Sequence, residues 1–89
     1  MAEEPTAEQL VAELRKAKVS DLLVHTCSMV ASLGFAKLDQ DSLELDQARV
    51  AIEALKALQP LLPDDAQRDI VGVVASLQLA YGDAVKTAR

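Results

Sequence analysis

His25, Cys27 and Met29 form the densest cluster of chemically capable side chains in this sequence. Imidazole, thiolate and thioether are ligand types that suit a soft metal. On a helix their spacing works against such a site. Residues four apart share a face, so His25 and Met29 align while Cys27 points elsewhere. The chain holds no second His or Cys, and a structural zinc site takes four ligands. Only a site shared across a symmetric dimer could be completed. The plainer reading, core packing with a histidine at its edge, is preferred, and no metal is expected. Nucleophilic catalysis fares no better, because positions 25 and 27 do not face each other on a helix. Cys27 also lies in the most apolar stretch of the chain, where a thiol stays protonated and inert.

Carboxylates occur in pairs at Asp39/Asp41, Glu44/Asp46 and Asp64/Asp65. General acid–base chemistry needs one member of a pair desolvated in a cleft. These pairs fall where loops meet helices, where acids serve as caps. Asp39-Gln40-Asp41-Ser42 lacks the central Gly and terminal Glu of a calcium loop. Gly34, Gly72 and Gly82 are isolated and build no phosphate cradle. No catalytic residue and no cofactor is therefore expected.

The elements that must position these residues are helices. Thr6-Ala7-Glu8-Gln9 has the form of a capping box, followed by Leu10, Val11 and Leu14 at helical spacing. This short arm would be marginal alone. Ser20 is the next expected N-cap, with Asp21 at the positive end of the helix dipole and Val19 and Val24 placed as a hydrophobic staple. Leu22 to Leu33 is apolar almost all round, as in a helix buried on several sides. Gly34 sits where a left-handed C-cap belongs. No Gly or Pro separates arm from helix, so one continuous helix from Thr6 to Leu33 is also open. Asp41 or Ser42 is expected to cap a third helix, whose apolar positions are Leu45, Ala48, Ile52 and Leu55. That helix should end near Leu58 or Gln59, ahead of Pro60. A last helix should run from about Asp64, at capping-box spacing from Gln67, to about Thr87.

The fold expected is all-α: a small bundle of three principal helices plus a short N-terminal helical arm. Residues 1–18 read as acidic tail and arm, and 19–89 as the helical domain. The expected core is Leu23, Val30, Leu33, Ala48, Ile52, Leu55, Ile70, Val74 and Leu77.

The stretch Leu45 to Leu55, with Ala48-Arg49, Ile52 and Leu55 in register, resembles the signature of a bacterial family of small helical proteins, the domain of unknown function 1844. Ser76-Leu77-Gln78-Leu79-Ala80-Tyr81 is similar to that family's closing motif, and Ser32-Leu33-Gly34 to its upstream element. The resemblance spans about Val19 to Ala84. It implies a compact helical domain and carries no established catalytic residues.

Composition narrows the function classes. Of 89 residues, 51% are hydrophobic and 26% charged. A single domain this short buries a limited share of its surface, and surplus exposed apolar area marks an interface. The net charge is −5 and the pI about 4.6; with basic residues scattered, nucleic acid is not an expected partner. Phe35 and Tyr81 are the only aromatics, too few for a base-stacking surface. The start Met1-Ala2-Glu3-Glu4-Pro5 carries no signal-peptide pattern. No uninterrupted apolar run reaches the length of a bilayer span. These features point to the cytosol and to no membrane.

The expected function is a non-enzymatic interaction module that binds itself, as a homo-oligomer, or a heterologous protein. Gly72 and Gly82 each cost a helix about 1 kcal/mol relative to Ala, which close packing against another backbone would explain. With Ser76, Gln78 and Tyr81 they are the interface candidates. The alternative is a small apolar-ligand carrier, with a cavity between helices lined by Leu22, Met29, Phe35 and Tyr81.

Overall fold

In a computed structural model, which describes residues 6–88, helix α1 runs Ala7–Lys16, α2 Val19–Ala36, α3 Leu45–Leu58 and α4 Asp64–Ala88. Single 3₁₀ turns at Gln40–Ser42 and Gln59–Leu61 link α2 to α3 and α3 to α4. The architecture is the expected all-α one, with no strand among the described residues. The acidic tail before Thr6 lies outside them.

Helix α1 is built on its capping box. The Gln9 amide N–H donates to Thr6 Oγ1 at 3.2 Å, and Thr6 N–H donates to Gln9 Oε1 at 2.9 Å. These two bonds satisfy orphan donors at the helix start. Ala17 and Lys18 are both extended, with ψ of 147° and 137°, so arm and second helix are separate. Helix α2 starts one residue ahead of the expected cap. The N–H groups of Asp21 and Leu22 both donate to the Lys18 carbonyl, which places Ser20 inside the first turn. Val19 is exposed, so no staple forms across that cap. Asp21 keeps its place in the first turn.

Gly34 does not cap α2. The helix continues to Ala36, and no described glycine has positive φ. The reason lies in packing. A Cβ on Gly34 would stand 2.9 Å from Ala51 Cβ and 3.1 Å from Leu77 Cδ2. At Gly34, therefore, α2 presses close on both α3 and α4. Gly72 and Gly82, the interface candidates, have nothing of their own chain within 4 Å of a notional Cβ.

Between α2 and α3 the chain turns back through Glu44 N–H, which donates to the Lys37 carbonyl at 2.8 Å, and through an ion pair between the same two side chains. Asp39 accepts from the Asp41 amide at 3.0 Å, holding the 3₁₀ turn. The residue flanking α3 is Glu44, not Asp41 or Ser42, and its side chain makes no cap bond. Helix α3 ends at Leu58 as Pro60 requires. Gln67 does not close a capping box with Asp64. Its side-chain amide reaches back to the Leu62 carbonyl at 2.8 Å and the Pro60 carbonyl at 3.4 Å, tying the preceding turn to α4.

The core gathers Cys27 and Ala31 from α2, Ala51, Ile52 and Leu55 from α3, Leu62 from the turn, and Ile70, Val74 and Leu77 from α4. Ala48 is buried too. Leu23 and Val30 pack against this cluster half-buried. Leu33, expected in the core, is 59% exposed. Successive residues on a helix are about 100° apart. With Gly34 facing inward, Leu33 is turned aside. An all-apolar helix carries no periodic signal to say which stripe will be covered.

Helix α1 buries no residue. The radius of gyration is accordingly 16.7 Å, against about 12 Å for a compact domain of this length. The molecule measures 53 × 36 × 17 Å.

Two contrasts test this packing. Leu55, fully buried, should lose about 2–5 kcal/mol on truncation to Ala, a large part of a typical total of about 5–15 kcal/mol. Urea unfolding followed by circular dichroism reads that loss. Ala is the better helix former, yet Gly34→Ala should destabilise by about 1–3 kcal/mol through overpacking. Gly72→Ala should stabilise by up to about 1 kcal/mol. Equal shifts at the two glycines would contradict the assigned crossing point.

Candidate interaction surface

Helix α2 has two apolar faces and only one is covered. Leu23, Cys27, Val30, Ala31 and Gly34 meet α3 and α4. On the adjoining face Val19, Leu22, Met29 and Leu33 are 74, 61, 61 and 59% exposed. Thr26 stands half-buried between them and Ala36 ends the row. Positions 19, 22, 26, 29, 33 and 36 follow a 3-4-3-4-3 spacing, the seam of a helix that packs along another helix. No Asp, Glu, Lys or Arg lies between Asp21 and Lys37. The Ser28 hydroxyl donates back to the Val24 carbonyl at 3.2 Å, so its proton is already satisfied within the helix.

The apolar surface continues sideways. Thr26, Ser28, Met29, Val30, Ser32 and Leu33 line a broad open depression. Beside it Val30, Leu33, Gly34, Val50, Ala51 and Ala54 line a narrower groove between α2 and α3 of about 170 Å³, edged by Lys37 and Gln47. Val50 is exposed on the groove's rim. Sequence periodicity missed it, because it lies off the covered face of α3. The arm adds Leu10, Val11 and Leu14, all exposed. Single exposed apolar residues are ordinary. A row of this length on one helix is not.

The chemically capable residues do not converge. Cys27 is fully buried and free, and desolvation raises its thiol pKa. His25 and Met29 are exposed, on other sides of the helix from Cys27. Among the described residues no group of three or more His, Cys, Asp or Glu gathers around a common point. Of the proposed carrier residues, Leu22, Met29 and Phe35 face solvent while Tyr81 packs against the core. The four do not surround an enclosed space.

Gly72, Ser76 and Gln78 are exposed on α4, and Tyr81 and Gly82 are half-buried. Val71 and Leu79 are exposed near this small-residue strip. Sequence reasoning named the small residues and missed these two larger ones.

Helix α2 also bears on the membrane question. It is 18 residues with mean hydropathy 1.4, about 27 Å long, close to the roughly 30 Å of a bilayer core. Asp21, His25 and several hydroxyls interrupt its apolar run. One face of this helix supplies the middle of the core, and 17% of the span is buried.

No protein-family model, no curated protein and no solved structure matches this chain.

Cys27 offers a direct check. A thiol raised in pKa by burial remains protonated and shielded. Dithiodipyridine should leave it unreacted in native protein and titrate one thiol only at denaturant concentrations that unfold the chain. Fast native reaction would place Cys27 outside the core.

Proposed function

We propose that this chain is a non-enzymatic helical interaction module of the cytoplasm, acting as a self-associating protein or an accessory subunit. The observation that carries the reading is the uncovered apolar row on α2. Leaving Val19, Leu22, Met29 and Leu33 in water forgoes about 1–2 kcal/mol each. A partner that covered them would recover it. The inert thiol, the solvated histidine and the dispersed carboxylates support a role without catalysis. The resemblance to the domain of unknown function 1844 family agrees with a helical module and adds no activity.

Magnitudes say how large the contact must be. The four side chains together offer on the order of 4–8 kcal/mol. Association costs an estimated 4–15 kcal/mol in lost translational and rotational freedom. The α2 row alone barely meets that cost. A stable complex must also cover the α2–α3 groove, the arm, or both.

A photoreactive amino acid at position 29, in the full chain expressed in its host, tests the reading. The expected result is a specific adduct to protein, either a second copy or another chain. Adducts to lipid alone, or a retained small apolar ligand seen by native mass spectrometry, would overturn it. Leu22→Glu with Met29→Glu should abolish the adduct from position 33. These are surface changes in the single chain, so the unfolding free energy of the isolated monomer should stay within about 0.5 kcal/mol.

A further inference from the structure

We propose that the partner on α2 is a second copy of this chain, and that the two α2 helices pair antiparallel about a two-fold axis between Cys27 and Ser28. The inference rests on the interaction-module reading and names its partner. It starts from the symmetry of the seam. The spacing 3-4-3-4-3 over positions 19, 22, 26, 29, 33 and 36 is the same in both directions. Reversed on itself, the row sets Val19 against Ala36 of the second copy, Leu22 against its Leu33, and Thr26 against its Met29. Each large residue meets a complementary position, and a two-fold contact of this kind closes without leaving a further sticky end.

Charge selects a second copy over a lipid surface. Each molecule carries −5, so two copies repel unless they meet on uncharged ground. The seam between Asp21 and Lys37 is such ground. Helices that lie on membranes carry Lys and Arg along the polar face. Here α1 and the start of α2 carry Glu8, Glu13 and Asp21 beside Arg15, Lys16 and Lys18, so the segment has no cationic excess, and the whole chain is net acidic.

Charge also selects the direction. A parallel pair would stack Asp21 on Asp21, Lys18 on Lys18 and Lys37 on Lys37, with the helix dipoles aligned. The antiparallel pair opposes the dipoles and brings Asp21 within a turn of the second copy's Lys37. It also brings Lys18 opposite that Lys37, and the two cations are balanced by two carboxylates, Asp21 and the Glu44 already paired with Lys37.

The uncovered arm then acquires a place. A stable interface buries about 800 Å² on each partner, more than one seam of about 27 Å supplies. In the antiparallel pair the start of α2 lies beside the second copy's Ala36. The α1 arm, joined there through Ala17 and Lys18, then starts beside the second copy's Lys37, at the edge of its α2–α3 groove. Leu10, Val11 and Leu14 find apolar cover there that their own chain does not give them.

Disulfide trapping tests register and direction together. Full-length Leu22→Cys and Leu33→Cys proteins are prepared separately, one isotopically labelled, with Cys27 left in the core. In the proposed pair, positions 22 and 33 are opposed. Two copies of position 22 are eleven residues, about 16 Å, apart along the axis, far beyond the roughly 7 Å that a disulfide spans. Mild oxidation of the mixture should yield the mixed disulfide as the main product, and each variant alone should give almost none. Homodimeric disulfides from either variant alone would overturn the antiparallel register. A wild-type chain that sediments as a monomer at about 100 μM would overturn self-pairing. A wild-type dimer whose mixed variants fail to cross-link would move the contact off α2. Met29→Glu should weaken the dimer on the order of a hundredfold, since like charges brought together cost several kcal/mol; an unchanged constant would overturn the seam. A monomer whose position 29 still cross-links to another protein in the host defeats this inference and leaves the interaction-module reading standing.

Discussion

The close approach of α2 to α3 and α4 at Gly34 is the constraint on which the rest of the structure depends. A hydrogen in place of a methyl lets Ala51 and Leu77 press against the α2 backbone. Ala31, Ala48 and Ala51 keep neighbouring positions equally small. Helix axes can approach closely only where side chains are short, and the buried cluster has no aromatic residue to wedge them apart, Tyr81 packing only against its edge. The contact fixes the rotation of α2 about its own axis. Once Gly34 faces inward, Cys27 and Ala31 must also face inward, two turns and one turn before it.

That rotation decides the surface. With the stripe through Leu23, Cys27 and Ala31 covered, the stripe through Leu22, Met29 and Leu33 is left in water. Three helices can cover only so much of a helix that is apolar almost all round. The same small side chains that permit close packing make the core thin, so α3 and α4 do not reach round to the second face. The arm compounds this. Its own capping box holds it as a helix, but the extended residues Ala17 and Lys18 carry it off the bundle, and its leucines stay uncovered. Apolar burial, the main favourable term in folding, is thus left incomplete within the single chain.

The dispersal of the reactive residues follows from the same geometry. Cys27 is drawn into the core because it shares the Gly34 stripe, and desolvation holds its thiol protonated. His25 and Met29, on other faces of the helix, are turned outward. The acidic pairs are spent on turns and helix starts, as Asp39 shows in accepting from the Asp41 amide. Among the described residues no three His, Cys, Asp or Glu gather at one place.

The sequence by itself determined the all-α class and about half of the helix ends, leaving open whether the arm and α2 were one helix. Capping at Thr6, the 3-4-3 row of α3 and the stop at Pro60 are local signals, set by hydrogen-bond valence, side-chain period and the ring of proline. It also determined the inward faces of α3 and α4, because those helices are amphipathic and their polar sides declare the apolar ones. It could not determine the inward face of α2. With no polar side, every rotation buries similar area, and only contact with Ala51 and Leu77 breaks the tie. For that reason Leu33 was expected inside and lies outside, while Gly34 was expected as a cap and serves as the crossing point. Tertiary structure alone decided which apolar row would be left open, because that choice depends on which neighbours a helix meets and not on its own periodicity.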